Sequence, residues 1–417
     1  MNEFNYRNGQ LYAEDCPLSD IAAEVGTPLY VYSQKTLERH FRVFDQAFRD
    51  IEHLICFSVK SNSNIAILRL FANLGGGADI VSGGELFRCM KAGMDPGRIV
   101  FSGVGKTDGE LTYALESGIM MFNVESEMEL ERIDRIAERM GKTAPIAIRV
   151  NPDINPKTHP YISTGLKKNK FGIDVKRAVE LYKKADSLKS IKILGIDCHI
   201  GSQLVSLSPF EETVLKLKEV IEALEGVGIP INWVDLGGGL GIAYKDEAPP
   251  SPEAYAQTIR EAAEGMSQSF IFEPGRVMAG NAGILVTRVL YVKQALEKTF
   301  IVVDAGMNDM IRPSLYGAYQ EVQPVQARDE KIMADVVGPI CESGDFFAKD
   351  RMVPDAKAGE LLCIMSAGAY GFTMSSNYNS RPRPAEVLVN GDSFSVVRRR
   401  ETYEDLIRGE TIPPWLE

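Results

Sequence analysis

In the run FSVKSN, Lys60 closes an apolar stretch. A lysine amine is one of the few side chains that can form a Schiff base with an aldehyde. Standing alone, such a lysine is more commonly a solvated side chain at a strand end. Other apolar runs end in residues that suit the same chemistry. One carries Asp79 and Ser82, followed by Gly83, Gly84 and Glu85, and another ends in Arg149 and Asn151. A third ends in His199, then Gly201 and Ser202. A fourth opens into Gly237, Gly238 and Gly239, and the last into Glu273, Pro274, Gly275 and Arg276. Glycine lets backbone N–H groups approach a phosphate. The ring of His199 can pack on a flat cofactor. An acid such as Glu273, set against a pyridine nitrogen, keeps that nitrogen protonated and makes the ring an electron sink. Plainer readings stand beside each of these: a tight turn, a core histidine, a structural partner for Arg276.

Two further groups lie downstream. Cys341 and Glu342 sit in Gly-Pro-Ile-Cys-Glu-Ser-Gly-Asp, a turn-rich polar stretch that reads as a loop. A cysteine can deliver a proton to a carbanion, or it can be an inert buried thiol. Arg312 precedes Pro313 in an apparent loop with Tyr316, and a guanidinium suits bidentate grip of a carboxylate.

These residues need a scaffold that brings strand ends to one rim. Eight apolar runs, LICFSV, ADIVS, RIVFSG, MFNVES, IAIRVN, ILGIDCH, WVDLGGG and FIFEPG, fall between about Leu54 and Gly275. Amphipathic stretches such as ESEMELERIDRIAERM and SPFEETVLKLKEVIEALEGV lie between them, with apolar residues at helical spacing. Strands alternating with helices imply parallel pairing through crossovers. Eight units in roughly 220 residues match a (β/α)8 TIM-type barrel, whose site lies at the C-terminal strand ends. After Arg276 the runs ILVTRVLYVKQ, FIVVDAG, ELLCIMSAG and AEVLVNGDSFSVVRR are strand-like, with a hairpin turn at Asn390. The expected division is a barrel over 28–275, and a mostly antiparallel β-sandwich or barrel domain formed by 1–27 with 276–417.

Composition narrows the partners. With 46 Lys and Arg against 57 Asp and Glu, the net charge is −11, which disfavours nucleic acid. No apolar stretch approaches the ~20 residues of a membrane span, so no membrane partner is expected. The six cysteines are scattered, with no Cys-x-x-Cys pair, and the N-terminus lacks a signal pattern. A reduced cytoplasmic compartment fits. The four histidines show no metal-ligand spacing, so no metal is expected.

FSVKSN, HIGSQ, DLGGGLG, EPGR, CESGD and GAYGF, in that order, make the chain resemble the alanine-racemase-like (fold type III) pyridoxal-phosphate decarboxylases. The resemblance runs from about Thr27 to Val389 and includes HPYISTGLKKNKFGID and AYGFTMSSNYNSRPRPAEVLV. One departure is Ser58 and Ser61 around the lysine, where the family usually has alanine. The resemblance implies pyridoxal 5'-phosphate held by Lys60 as a Schiff base. It implies His199 on the cofactor ring, Asp79 nearby and Glu273 at the pyridine nitrogen. It puts Ser202, Gly237, Gly238, Gly239, Gly275, Arg276 and Tyr370 at the phosphate. Arg276, Arg312, Tyr316, Glu342 and Tyr370 are implied to bind the substrate, and Cys341 to supply a proton after carbon dioxide leaves. Cys341 and Glu342 are implied to serve the neighbouring subunit of a homodimer. The implied reaction converts meso-2,6-diaminopimelate to L-lysine. Ornithine, arginine or a D-amino acid are alternative substrates on the same fold, although ornithine enzymes typically have Asp where this chain has Glu342. Racemisation would need a second base that the chain does not show. A non-catalytic pyridoxal-phosphate protein would resemble the barrel alone.

Overall fold

The computed structural model describes residues 2–154 and 170–416, so most of HPYISTGLKKNKFGID lies outside the described residues. Two compact units emerge, Glu38–Met278 and Met1–Leu37 with Ala279–Glu417.

Within Glu38–Met278, eight parallel strands close on themselves. They are β1 His53–Ser58, β2 Gly77–Ile80, β3 Ile99–Phe101, β4 Met121–Val124, β5 Ala144–Asn151, β6 Ile191–Asp197, β7 Trp233–Asp235 and β8 Ser269–Phe272. Each pairs with the next, and β8 returns to β1 through Phe270–His53, Ile271–Leu54 and Phe272–Ile55. The eight runs read from the sequence are these strands. Helices cover the outside, as a parallel sheet buried on both faces requires. In helix Glu127–Met140 the buried residues Leu130, Ile133 and Ala137 follow helical spacing. Ser126 caps its first turn and left-handed Gly141 (φ 64°) ends it. In helix Ser208–Glu225 Val214, Leu217, Ile221 and Leu224 form the buried stripe. Phe48 and Phe272 pack at 4.0 Å between ring centroids, tying helix Gln34–Ala47 and its exit to β8.

The barrel interior has layers. Leu54, Cys56, Val100, Met121, Ala147 and Ile271 make one apolar cluster, each such burial contributing roughly 1.5–3 kcal/mol for a large side chain. Two residues further along the same strands, alternation puts Ser58, Ser102, Asn123, Arg149 and Glu273 on the same inward face. The barrel is therefore apolar below and polar at the C-terminal rim.

The other unit is built on a mixed, mostly antiparallel sheet. Its order is Phe346–Pro354, Lys331–Val337, Thr299–Val303, Gly283–Gln294, Leu29–Ser33, Ala385–Asn390 and Ser393–Arg398. Leu361–Ile364 pairs with Gly283–Gln294 and with Val322–Pro324. Two pairings are parallel, Thr299–Val303 with Lys331–Val337 and Ala385–Asn390 with Leu29–Ser33. The Asn390 turn closes an antiparallel hairpin with Asn390 opposite Ser393, and Gly391 takes φ 64°. Leu11, Leu18, Ile21, Leu29, Val31, Ile284, Val286, Cys363, Val387 and Val389 form the core.

Two features here differ from the sequence reading. Leu29–Ser33, which a boundary at 27/28 would give to the barrel, pairs with Gly283–Val286 and Ala385–Val389 of this unit. Its all-buried LYVYS is indistinguishable by pattern from a barrel strand. Lys331–Val337 and Phe346–Pro354 were not legible as strands, because charges interrupt their exposed stretches. The N-terminal residues form a small antiparallel sheet, Phe4–Arg7, Gln10–Ala13 and Cys16–Pro17.

Candidate active site

Lys60 lies in the single turn Val59–Ser61 that leaves β1. Its Nζ donates to Asp79 Oδ2 at 2.7 Å. Asp79 is fully buried on β2, and Ser58 Oγ donates to the same oxygen at 2.8 Å. Ser58 Oγ also lies 2.9 Å from the Glu273 carbonyl oxygen. The serine that departs from the family pattern thus braces the lysine's partner. The other Asp79 oxygen, Oδ1, is buried with no hydrogen-bond partner among the described residues.

Acids crowd the same rim. Asp197, Asp235 and Glu273 are all buried. Burial pushes the Glu273 carboxyl well above the usual range, and the charges of Asp235, Asp79 and Asp197 add to it. Burial likewise raises Asp197, with Asp235 adding to the shift. Asp235 is pushed up to about 6 by burial, against the hydrogen bonds it accepts from the Gly237 N–H and Asn123. Arg149 offsets part of this negative charge. Its Nη1 donates to Glu125 Oε1 at 2.7 Å and its Nε lies 3.8 Å from Asp197 Oδ2. Burial works against the Arg149 charge, but Glu125, Asp197 and Glu273 outweigh it and its pKa is raised.

His199 accepts a hydrogen bond at Nδ1 from the Gly238 N–H, at 3.0 Å. Burial, then Lys60 and Arg149, lowers its pKa well below the ordinary value. The ring is therefore neutral, with its proton on Nε2. A neutral flat ring is suited to stacking. The loop that meets it admits only glycine. Gly237 has φ 62°, and a Cβ there would lie 2.4 Å from His199 Nδ1. A Cβ on Gly238 would lie 2.3 Å from the Glu273 carbonyl oxygen. One on Gly239 (φ 113°) would lie 2.8 Å from the Gly201 carbonyl oxygen. At Gly275 it would press on Ser58 and Ser61 at 2.9–3.0 Å. Arg276 is buried, and donates to Ser202 Oγ at 3.0 Å and to the Tyr244 hydroxyl at 2.6 Å.

Lys60, Asp79, His199, Ser202, the three glycines, Glu273, Gly275 and Arg276 all lie on strand ends and following turns of one barrel. Their chemistry fits a flat phosphorylated aldehyde: an amine, a neutral ring, a buried acid and a side-chain-free backbone cradle. Asp79 Oδ1, buried beside the amine, is a further acceptor there.

The remaining sequence candidates lie in the second unit. Arg312 opens a short helix, Arg312–Tyr316, where a loop was expected; Gly317 ends it at φ 60°. Arg312 is buried, with its Cζ 5.8 Å from the centre of the Tyr316 ring. Cys341 and Glu342 are exposed in a loop, as the flanking glycines suggested. The Cys341 N–H donates to Asn379 Oδ1 at 2.8 Å. Buried Asp345 holds the loop by accepting from the N–H groups of Met307 and Ile340, each at 2.6 Å. The Ser314 hydroxyl donates to the Gly344 carbonyl, joining the Arg312 helix to the Cys341 loop. Tyr370 has φ 56°, an uncommon conformation for a tyrosine. The following Gly371 cannot carry a side chain, because a Cβ would lie 2.4 Å from the Ala367 carbonyl oxygen.

Sequence reading passed over Ser102 and Asn123, and gave Asp235 no role. Asn123 Nδ2 reaches Ser102 Oγ at 3.1 Å, Asp235 Oδ2 at 3.0 Å and Glu273 Oε1 at 3.5 Å. The available signal was strand parity: Asn123 is two residues past Met121 of the apolar cluster.

Residues 34–280 match a family model described as pyridoxal-dependent decarboxylase, pyridoxal binding domain. The diaminopimelate decarboxylase of Vibrio cholerae is 51% identical over 417 residues, covering 99% of this chain and 100% of that protein. A crystal structure of the Helicobacter pylori diaminopimelate decarboxylase complexed with L-lysine is similar at a TM-score of 0.91 and 44% identity, covering 94% of this chain and 98% of that one. The M. jannaschii enzyme in co-complex with L-lysine matches at a TM-score of 0.95 and 39% identity, over 100% of both chains.

Proposed function

We infer the reaction from membership: the chain belongs to the pyridoxal-dependent decarboxylases and, among them, to the diaminopimelate decarboxylase family. It is a carboxy-lyase that uses pyridoxal 5'-phosphate to convert meso-2,6-diaminopimelate to L-lysine and carbon dioxide, the last step of lysine biosynthesis. The observation that carries this is about half identity to diaminopimelate decarboxylases along essentially the whole chain, 51% over 417 residues in one case.

Bound pyridoxal phosphate supplies a sink for the electron pair left behind by departing carbon dioxide. The protein's residues hold, orient and move protons around it. In our reading Lys60 is the attachment point, and Asp79, 2.7 Å from its amine, orients it. His199 would pack on the ring as a neutral imidazole. Glu273 would meet the ring nitrogen, where the barrel's low-dielectric interior strengthens an ion pair. The backbone of Gly237–Gly239 and Gly275–Arg276, with Ser202 and Tyr370, would hold the phosphate. Arg276, Arg312, Tyr316, Glu342 and Tyr370 bind the substrate. Arg312 pairs with a carboxylate and Glu342 with an ammonium, and the distal end of diaminopimelate carries both. The Cys341 thiol returns a proton to the carbon that lost carbon dioxide.

The same reading makes the working unit a homodimer in which Cys341 and Glu342 serve the partner's site. Their exposure on the chain supports this. It also divides the domains at the barrel, with the β domain supplying the substrate and proton-donating residues. Six free cysteines support a reducing, cytoplasmic setting. No helix among the described residues is long and apolar enough to cross a membrane.

The test is release of carbon dioxide from meso-diaminopimelate by purified protein loaded with pyridoxal phosphate, with lysine as the product. Turnover of ornithine or arginine at comparable kcat/KM, with none of diaminopimelate, would overturn the reading.

A further inference from the structure

Asp235 ends β7, with only Leu236 between it and the glycine loop, and is completely buried. Its two oxygens look in different directions. Oδ1 accepts from the Gly237 N–H at 2.9 Å, which fixes the first turn of the loop. Oδ2 accepts from Asn123 Nδ2 at 3.0 Å. Asn123 reaches Glu273 Oε1 as well, at 3.5 Å, and Ser102 Oγ lies 3.4 Å from the same oxygen. The backbone repeats the tie, since the Glu273 N–H donates to the Gly237 carbonyl at 2.8 Å. Ser102, Asn123, Asp235 and Glu273 come from four different strand ends, and all are buried. A second acid beside Glu273 carries a cost in a low-dielectric interior. An amide or hydroxyl could anchor Gly237 without that cost, so fold stability alone does not account for an acid here.

We propose that Asp235 is a positioning residue that holds Glu273 and the Gly237–Gly239 loop in one register, so that one side chain sets both the ring-nitrogen end and the phosphate end of the cofactor site. The proposal rests on the pyridoxal-phosphate reading above. Asp235 acts through Glu273 on one side and through Gly237 on the other.

The two arms separate by substitution. Asp235→Asn keeps an oxygen for the Gly237 N–H but sets an amide donor against the donor of Asn123, which disturbs the Glu273 arm. Asp235→Ala removes both arms. Full-length protein, stripped of cofactor, is titrated with pyridoxal 5'-phosphate by absorbance, and with inorganic phosphate as competitor. Asp235→Asn is expected to weaken pyridoxal phosphate about 10-fold, the scale of one hydrogen bond to a charged group, while the competing phosphate constant stays within about 2-fold of wild type. Asp235→Ala is expected to weaken both ligands. In a Glu273→Gln background, Asp235→Asn is expected to change cofactor affinity by less than about 2-fold, because its target is already altered.

An equal loss in both backgrounds, or an equal loss of phosphate and cofactor in Asp235→Asn, overturns the proposal and leaves Asp235 a brace of the fold. Failure of Asp235→Ala to fold, read by circular dichroism, does not affect the Asp235→Asn comparison. If wild-type protein binds phosphate but no pyridoxal phosphate, the cofactor reading falls first and takes the proposal with it.

Discussion

Lys60 and Asp79 are joined at 2.7 Å, amine to carboxylate, across neighbouring barrel strands. Asp79 is fully buried, whereas the Lys60 side chain keeps about a third of its surface exposed. The amine is thus anchored from within the barrel yet reachable from outside it. Lys60→Ala is expected to abolish covalent attachment of pyridoxal phosphate, although the phosphate loops still bind free cofactor. Borohydride reduction followed by peptide mass spectrometry locates the attachment. A reduced adduct on any other lysine sinks the assignment.

The glycine loop is predicted to be intolerant in a graded way. Gly238→Ala places a Cβ 2.3 Å from a backbone oxygen of Glu273, which no rotamer change relieves. Gly105 has nothing within 4 Å of its Cβ position among the described residues and serves as a control. If the loop holds the phosphate as proposed, cofactor affinity should fall at least ~10-fold in Gly238→Ala, the scale of one hydrogen bond to a charged group. Gly105→Ala should be indistinguishable from wild type. Equal affinities in the two variants would show that the loop does not hold the phosphate.

Cys341 is exposed, and its variants should spare the fold. Cys341→Ala is expected to bind cofactor normally and to lose turnover by ~10²-fold or more, as removal of a general acid would. Mixing inactive Lys60→Ala protein with inactive Cys341→Ala protein, under conditions of subunit exchange, should restore part of the activity. Each mixed dimer would own one site in which both residues are wild type. Proven exchange without any recovered activity rules out a site shared between subunits.

Arg312 should set specificity at the distal end of the substrate. Lysine lacks the distal carboxylate, and leaving a buried charge unpaired costs several kcal/mol, or ~10³-fold in discrimination. Arg312→Met is expected to lower kcat/KM for diaminopimelate strongly and to change the poor turnover of lysine little. An unchanged ratio of the two constants shows that Arg312 does not read the distal carboxylate.

Glu85 offers a pH test. It accepts the Val81 N–H at 2.7 Å, and burial raises its pKa to about 7 from 4.5. Its folded-state pKa is above the unfolded one, so the folded protein binds this proton more tightly. Glu85 therefore imposes no penalty below about pH 4, and its ionisation erodes stability as pH rises from about 4.5 through about 7. Glu85→Gln should match wild type at pH 4 and exceed it at pH 8 by up to about 3 kcal/mol. Denaturant unfolding at the two pH values measures this. A stability difference that does not change with pH contradicts the assignment.

Much of this protein can be read from its residues in order. Strand parity is local: Leu54, Cys56 and Ser58 alternate on one face whatever the rest of the chain does. That periodicity marks the eight barrel strands, the rim on which Lys60, His199 and Glu273 stand, and the glycines that follow β7. The loop character of the Cys341 stretch and the hairpin at Asn390 are equally local, because turn residues act through their own backbone angles.

Other features depend on which distant segments meet. Leu29–Ser33 looks like a barrel strand, but its partners Gly283–Val286 and Ala385–Val389 draw it into the other sheet. Lys331–Val337 is a strand because Thr299–Val303 and Phe346–Pro354 supply its hydrogen bonds, not because of its own composition. The neutral state of His199 rests on its burial, then on the nearby Lys60 and Arg149 charges, with the Gly238 N–H held at Nδ1. The meeting of Asn123, Asp235 and Glu273 needs three strand ends closed into one barrel. Periodicity is set by neighbours along the chain, whereas pairing and electrostatics are set by neighbours in space.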